Sequence, residues 1–373
     1  MNILSGMNWL RAIAALLVVV YHLNQHLPLG NLSTLTIGIH QSIGHLSIMV
    51  SVFFMLSGFF RSLSYWKNIE TPENIPQFFP SLKDRFFRIA PAYYTMLIVS
   101  LITTYIVQGY ANLNFPAFFS GFFFLSWISP ETLFPVLING PLWFISFDMI
   151  GWIFTSLFMM GLCKMQKKYY SFYFVGVILL TLAFHNIWTH LPWSSSSGIS
   201  SVWFPVYNPF LFFLHFLFGI FAAGIVTWLK NRLQTSNILF DGATLISTLC
   251  IAIYIWNVRT QNDWGSIPDG PYHFPFITSM IAIIMISLPF TRSIWNLLDN
   301  TFFTFTAKIS YSLFLIHALV VVILLEYVFK DPLTILTWIY FSITTLTISY
   351  FLAWLMYQYI EIPCIPKKIT PKK

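Results

Sequence analysis

Ten long apolar runs restrict this chain to very few folds. They occupy approximately residues 7–29, 43–64, 89–109, 141–162, 169–189, 209–229, 238–258, 274–291, 309–329 and 333–358. Each is long enough to cross the ~30 Å hydrocarbon layer of a bilayer as an α-helix. Only 8% of the 373 residues are charged, whereas a soluble domain carries about 25%. The pattern predicts an all-α membrane protein with about ten transmembrane helices, in one polytopic domain (1–363) with a basic cytoplasmic tail (364–373).

The basic residues fall mainly on one side of the predicted membrane. If the N-terminus is cytoplasmic, 16 of the 19 Lys and Arg residues lie in cytoplasmic segments. The outer loops hold Arg259 and Lys330, and Arg11 lies inside the first helix. This asymmetry is typical of cytoplasmic loops. It therefore predicts that both termini are cytoplasmic, and it explains the net charge of +7 by contact with membrane lipids and without a nucleic-acid partner.

The other segments are expected to have structural roles. The first apolar run lacks the small-residue cleavage site of a signal peptide, so it is expected to stay as helix one. The piece from Phe115 to Ile128 is too short to span, which predicts a re-entrant or interfacial segment. Cys163, Cys250 and Cys364 lie far apart without metal-ligand spacing, so the sequence predicts free thiols and no metal site.

Two polar residues share one face of the first predicted helix. Eleven steps of about 100° return Arg11 and His22 almost to the same azimuth, roughly 16 Å apart along the axis. Such groups are costly at membrane depth and usually line a functional cavity. The alternative is that Arg11 extends to the headgroups while His22 bonds a neighbouring helix. The predicted orientation places Arg11 near the cytosol and His22 beyond the middle of the membrane.

Four further charged positions are candidates for a site. Arg85 and Arg88, three residues apart before the third helix, could hold phosphate oxygens or anchor lipid headgroups. Asp148, near the outer end of the fourth helix, needs a cationic or hydrogen-bonding partner, and His22 is at a matching depth. A protonated acid bonded to a carbonyl is the alternative for Asp148. Glu361, at the cytoplasmic interface, is expected to pair with an arginine.

The candidates for acceptor binding are aromatic or imidazole side chains. The predicted outer loop between helices five and six is uncharged and flexible, and its Trp203 and Tyr207 could stack on sugar rings. An interfacial aromatic belt explains the same two residues. Trp143, at the outer end of the fourth helix, and His317, near the middle of helix nine, complete this set. A lone membrane histidine such as His215 is interpreted as a packing residue.

Taken together, six short strings resemble the integral membrane acyltransferases of acyltransferase family three, which modify cell-surface glycans. In chain order the strings are Arg11-x10-His22; Phe53 to Phe59 (FF-x-x-SGF); Arg85, Arg88, Ile89 and Pro91 (R-x-x-R-I-x-P); Pro141-Leu142-Trp143; Ser310-Tyr311-Ser312-Leu313 through His317; and Glu361-Ile362-Pro363. Asp148 departs from the family pattern, which has glutamate there, and Ile316 replaces the tryptophan before His317. Some relatives carry an extracytoplasmic hydrolase-like domain, which is not expected here.

The resemblance implies a membrane O-acyltransferase, most often an O-acetyltransferase, in a bacterial-type cytoplasmic (inner) membrane. It implies a cytosolic acyl-CoA donor, usually acetyl-CoA, whose phosphates Arg11, Arg85 and Arg88 would bind. Neutral His22, near Asp148, would act as general base on a glycan hydroxyl, and an acyl-histidine relay is the second possibility. The acceptor (lipopolysaccharide O-antigen, capsule, peptidoglycan or another lipid-linked glycan) and the acyl group (acetyl or succinyl) stay open.

Two other classes of protein fit some of these features. A transporter or flippase for a glycan or its precursor would also place Arg, His and Asp within its helices. The two halves show no repeat and no paired broken helices, which counts against it. A non-catalytic scaffold or sensor leaves Arg11 and His22 unexplained. Dependence on acyl-CoA separates the enzyme from the flippase.

Overall fold

The protein is built from α-helices joined by short connections. The computed structural model describes residues 3–30, 33–193, 203–233, 236–260, 271–298 and 300–365. The α-helices of this part are α1 (Ile3–Asn24), α2 (Thr34–Gly44), α3 (Met49–Lys67), α4 (Phe78–Gln108), α5 (Phe115–Phe122), α6 (Trp143–Cys163), α7 (Tyr170–Thr189), α8 (Pro209–Lys230), α9 (Ile238–Val258), α10 (Phe276–Ser287), α11 (Ser293–Leu298), α12 (Thr301–Tyr327), α13 (Ile335–Met356) and α14 (Ile362–Cys364). No strand occurs in these described ranges.

The predicted membrane architecture is confirmed, with one shorter element. Nine helical segments of the described chain are long and apolar enough to cross a bilayer. One of them joins α2 to α3 through the 3₁₀ turn His45–Ile48. The predicted span at 274–291 is a shorter apolar helix, α10, which continues as a 3₁₀ turn to Phe290. The predicted tail from residue 366, and residues 194–202 of the predicted outer loop, lie outside the described ranges.

The helices form an inner set and an outer set. Helices α1, α3, α6, α8 and α12 bury most of their side chains, whereas α7, α9 and α13 bury few. The outer helices expose large apolar side chains such as Leu179, Leu249 and Tyr340. An all-round apolar helix with an exposed surface is typical of a helix that faces lipid. The polar side chains described below therefore lie among the inner helices.

Side-chain caps fix where several helices begin. Asn208 accepts a hydrogen bond from the Leu211 amide at 2.9 Å, with Pro209 at the first helical position of α8. Asn300 caps α12 in the same way through the Phe303 amide. Asp241, on α9, accepts the backbone N–H groups of Arg292, Ser293 and Ile294 at the start of α11. These contacts satisfy donors that a helix leaves unpaired at its first turn.

Two glycines allow the closest helix crossing in the bundle. Gly58 on α3 faces the backbone of Phe216 on α8, and Gly219 on α8 faces the backbone of Met55 on α3. A Cβ at either position would overlap the facing backbone carbonyl group. Small residues at such positions let two membrane helices approach through their backbones. The crossing fixes the position of Ser57, which belongs to the site.

Helix α6 begins inside the bundle instead of at its surface. It is preceded by the 3₁₀ segment Leu137–Leu142, which is broken at Asn139 (φ −123°, ψ 64°). The fully buried Asn139 amide donates to the Ser100 hydroxyl at 3.0 Å and to the Leu315 carbonyl at 2.9 Å. These bonds tie the start of α6 to α4 and to the middle of α12. Residues of the first turns of α6 therefore lie further inside the helix bundle than the sequence indicates.

Candidate active site

Helix α1 carries the two residues that begin the site. Arg11 is half-buried, and its guanidinium carbon lies 5.0 Å from the centre of the Phe60 ring. It is within electrostatic range of Arg85, Arg88, Asp148 and Glu361. Charged residues that are far apart in the sequence thus converge at this end of α1. We call these five residues the charged cluster.

The centre of the charged cluster is an ion pair between Arg85 and Asp148. The Ser57 hydroxyl donates to Asp148 Oδ1 at 2.5 Å and accepts from Arg85 Nη2 at 3.2 Å. The expectation that Asp148 partners His22 is wrong, because its carboxylate is committed to Arg85 and Ser57. The physical reason is that α6 begins inside the bundle, which brings Asp148 next to Arg85.

Glu361 occupies a second buried position within the charged cluster. It lies in the π-helical turn Tyr357–Glu361 and accepts a hydrogen bond from the Ser312 hydroxyl of α12. Arg88, whose side chain is exposed, and Arg11 reach it electrostatically, but its direct contact is the serine. No contact ion pair to Glu361 occurs among the described residues, so its pairing with an arginine stays a prediction.

The strings quoted from the sequence are connected to one another by hydrogen bonds. Besides the Ser57–Asp148 and Ser312–Glu361 contacts, the Tyr311 hydroxyl donates to the Ile89 carbonyl at 2.9 Å. Four of the six strings, together with Asp148, which follows a fifth string, therefore meet in one region. This convergence explains why polar residues occur at those positions in otherwise apolar helices.

His22 lies toward the other end of α1, beside a second histidine. Its Nδ1 is 3.1 Å from Oε1 of Gln25, and its ring centroid is 5.0 Å from that of His317. His317 is fully buried, its Nδ1 is 3.1 Å from the Leu313 carbonyl, and its Nε2 has no hydrogen-bond partner in the described structure. The structure thus brings together His22 and His317, a pair that the sequence did not connect.

The predicted acceptor-binding aromatics form a separate group, in which Trp143 and Tyr207 are buried and Trp203 is half-buried. The Tyr207 ring lies 4.7 Å from Trp143 and 4.9 Å from Trp203 between centroids. The Tyr207 hydroxyl is 3.2 Å from that of Tyr272, and burial raises the pKa of both phenols, so both stay neutral donors. Because Tyr207 is buried, the expectation of a flexible, external aromatic surface is wrong for this residue.

Arg61 is a neighbour of the site that the sequence motifs do not include. It is buried on α3, its Nε donates to the Ser156 hydroxyl at 2.8 Å, and its Nη2 donates to the Tyr65 hydroxyl at 2.7 Å. Its guanidinium lies 4.3 Å from the Trp152 ring, and that of Arg85 lies 5.9 Å from a Trp152 ring. A signal is present in the sequence, since Arg61 interrupts an apolar run, but the positive-inside pattern explains it equally well as a cytoplasmic anchor.

The guanidinium groups of the site are suited to binding anions. Among the described residues, no group of three or more His, Cys, Asp or Glu side chains could hold a metal ion. Arg85 Nε is buried and lacks a hydrogen-bond partner within the described structure, while Arg11 and Arg88 carry two more guanidinium groups nearby. Guanidinium groups are the usual protein partners of phosphate oxygens.

Comparisons with known proteins identify the family of the chain. A family model described as an acyltransferase domain matches residues 4–354. Proteins named "Putative O-acetyltransferase" from Staphylococcus aureus strains COL, MSSA476 and MRSA252 are each 23% identical over 382 residues, covering 97% of this chain. The chain spans 57% of the length of these relatives. No solved structure matches the chain.

Proposed function

The chain belongs to the acyltransferase family whose domain model covers residues 4–354, and from that premise we propose that it is a membrane O-acyltransferase. It transfers an acyl group, with acetyl the first candidate, from cytosolic acyl-CoA to a hydroxyl of a cell-surface or lipid-linked glycan. The membrane is a bacterial-type cytoplasmic membrane. The names of the staphylococcal relatives support an O-acetyl group for those proteins, and we extend it to this chain as part of the proposal.

The observation that carries the proposal is the polarity of the α1 face. One end of this face meets the guanidinium groups of Arg11, Arg85 and Arg88. The other end, roughly 16 Å along the axis, holds His22. Acyl-CoA has the same polarity, with phosphates at one end and a reactive thioester at the other. The cluster would bind the phosphates and leave the thioester toward His22.

His22 is suited to act as a general base. The amide oxygen of Gln25 accepts a hydrogen bond from Nδ1, which leaves Nε2 with a free lone pair. The acceptor hydroxyl oxygen attacks the thioester carbonyl carbon, a C–O bond forms and the C–S bond breaks. His22 Nε2 takes the hydroxyl proton and returns it to the CoA sulfur. Positioned proton transfer of this kind is worth about 10²–10⁴-fold in rate.

The experiment is transfer of label from [¹⁴C]acetyl-CoA to surface glycan in membranes that contain wild-type protein, His22→Ala or His190→Ala. His190 is an exposed histidine at the end of α7, so its variant is the matched control. We expect base-labile glycan label with wild type and His190→Ala, and a loss of at least 100-fold with His22→Ala.

The other outcomes separate the alternatives. Equal label in all three samples would retain the enzyme and remove His22 from the chemistry. No label with wild type, together with no binding of CoA to the purified protein, would overturn the acyltransferase proposal in favour of a glycan transporter.

A further inference from the structure

In their neutral forms, His22 and His317 have the same tautomer. His22 Nδ1 faces an amide oxygen and His317 Nδ1 faces the Leu313 carbonyl. Both of these oxygens only accept hydrogen bonds, so each Nδ1 carries the proton. Nε2 is therefore a bare acceptor in both rings. For His317 it is buried and without a partner in the described structure, which is a costly arrangement inside a protein.

A second histidine pair shows what is unusual about the first. The rings of His45 and His273 are 5.4 Å apart, and His45 Nδ1 is hydrogen-bonded to His273 Nε2 at 3.3 Å. The His22 and His317 rings are closer, at 5.0 Å. No hydrogen bond joins them in the described structure, because neither ring has an N–H left to give.

We infer that the acceptor hydroxyl supplies a proton to His22, and that His317 is the group that stabilises the protonated His22. The inference rests on the proposed function. In most hydrolases with a histidine base a carboxylate has this role. Here the described side chains that reach the His22 imidazole include His317, Gln25, His26 and Tyr21, none of which is a carboxylate, and Asp148 is committed to Arg85. The Gln25 amide oxygen holds the Nδ1 position that the carboxylate has in those enzymes, and His317 is an additional neutral acceptor beside the ring.

The step balances without another reactant. The hydroxyl oxygen forms its bond to the thioester carbon while its proton passes to His22 Nε2. While His22 is protonated, this N–H is shared between the reacting centre and His317 Nε2 in a three-centre hydrogen bond, which stabilises the imidazolium. As the C–S bond breaks, the proton moves to the departing sulfur, which leaves as the CoA thiol. Both imidazoles return to the neutral form in which they began.

Gln25 and His317 are thus positioning residues that act through His22. Gln25 holds the proton of His22 on Nδ1, so that Nε2 is the base. His317 accepts from that base only after it is protonated, which is the condition for stabilising the transition state more than the ground state. Their loss should therefore lower kcat and leave the KM for acetyl-CoA unchanged.

The test compares four variants in the [¹⁴C]acetyl-CoA assay: His317→Leu, His317→Gln, Gln25→Leu and His215→Leu. His215 is the matched control, because it is fully buried, its Nδ1 faces the Leu211 carbonyl and its Nε2 has no partner in the described structure. We expect His317→Leu to lower kcat about 10- to 100-fold, the effect of a hydrogen bond to a charged group. His317→Gln keeps an acceptor oxygen and should recover most of that loss. His215→Leu should stay within about twofold of wild type.

A second measurement does not depend on activity. The ¹⁵N spectrum of histidine-labelled protein in nanodiscs distinguishes an Nδ1–H from an Nε2–H imidazole. We expect the Nδ1–H form for His22 in wild type and a mixture of both forms in Gln25→Leu. An Nε2–H form in wild type would overturn the inference.

The outcomes keep this inference apart from the proposed function. If wild type transfers acetyl groups and His317→Leu does so equally well, the histidine pair has no role and the acyltransferase stands. The histidine pair is likewise excluded if His317→Gln is as impaired as His317→Leu, because the acceptor atom would then be irrelevant. If wild type transfers nothing under any condition, the proposed function itself fails.

Discussion

At the Arg11 end of α1, two charged side chains form a contact ion pair, whereas at the His22 end a buried imidazole nitrogen has no hydrogen-bond partner in the described structure. Arg85 and Asp148 form a contact pair that Ser57 completes, and Glu361 is bonded to Ser312. His317 Nε2, in contrast, is buried and unsatisfied within the described structure. Both regions lie on the same helix face and among the same inner helices.

The difference follows from the cost of burying each kind of group. An unmatched charge in a low-dielectric interior costs several kcal/mol, so a fold tolerates buried charges only in matched sets. An unsatisfied neutral acceptor costs about 1–3 kcal/mol, which a large protein can sustain at one position. We therefore expect the charged cluster to matter for stability as well as binding, and the histidine pair to matter for rate.

The largest expected effect comes from removing one member of the ion pair. Asp148→Leu leaves Arg85 without its counter-charge in a largely buried site (side-chain exposure 18% and 6%). We expect a loss of about 3–5 kcal/mol of stability, measured as a lower Tm in detergent. The double variant Arg85→Met/Asp148→Leu should recover most of the Tm but no activity. A double variant no more stable than Asp148→Leu would show that the pair has another structural role.

A smaller effect should follow from removing a cation that is exposed. Arg88→Ala removes a guanidinium group at the edge of the cluster. We expect the KM for acetyl-CoA to rise about 10- to 100-fold, equivalent to about 1.5–3 kcal/mol for a charge-assisted bond, with little change in Tm. Lys83→Ala, an exposed cation on the same helix, is the control. Equal effects of the two variants would mean that the cluster contributes only general positive charge.

Removing a member of the histidine pair should lower the rate of transfer and leave stability nearly unchanged, the opposite of removing a member of the ion pair. His317→Leu removes a buried nitrogen that has no partner in the described structure, so we expect the free energy of unfolding to change by no more than about 1 kcal/mol while kcat falls. Thermal melting of the purified variant measures this directly. A drop in stability as large as that of Asp148→Leu would erase the distinction between the two regions.

The smallest effect is expected at the exposed ion pair of Lys167 and Glu70, 2.5 Å apart at the surface. The hydrogen bond from Lys167 lowers the pKa of the Glu70 carboxyl, so any contribution would be present at neutral pH and lost on acidification. Exposed pairs of this kind contribute little, and we expect Lys167→Gln to leave the Tm unchanged between about pH 4 and 7. A Tm that falls on acidification in wild type but not in Lys167→Gln would show that this exposed ion pair stabilises the fold after all.

The membrane helices could be predicted because their signal is the length of an apolar run. The start of α4 could not, since the segment from Phe78 to Arg88 contains Lys83, Asp84, Arg85 and Arg88 and is nevertheless helical. Charged residues do not prevent a helix from forming. They only break the apolar run by which a membrane helix is predicted. The predicted cytoplasmic location of the termini stays a prediction.

The members of the site could be predicted from the sequence, but their pairings could not. The quoted strings identify Arg11, His22, Arg85, Asp148 and Glu361. A partner for Asp148, however, can be chosen from the sequence only by assuming that the fourth helix crosses the membrane from one surface to the other, and by matching residues at equal depth. The break at Asn139 shifts α6 inward, and no periodicity in the sequence encodes that shift. For the same reason, Tyr207 is expected at the surface and is buried. Roles for these residues in chemistry stay predictions until the variants are measured.

The glycine crossing between α3 and α8 has a consequence for how the protein is made. Four helices, α4 to α7, separate the two partners in the chain, so the ribosome completes α3 well before α8 exists. During that interval α3 holds Arg61 in or near the bilayer, and Tyr65, one turn further along the same helix, is the partner already available to it. The interval ends when α8 packs on α3, with Gly219 against the backbone of Met55. Biogenesis of this protein thus includes a stage in which α3 is complete and its partner α8 has not yet been made.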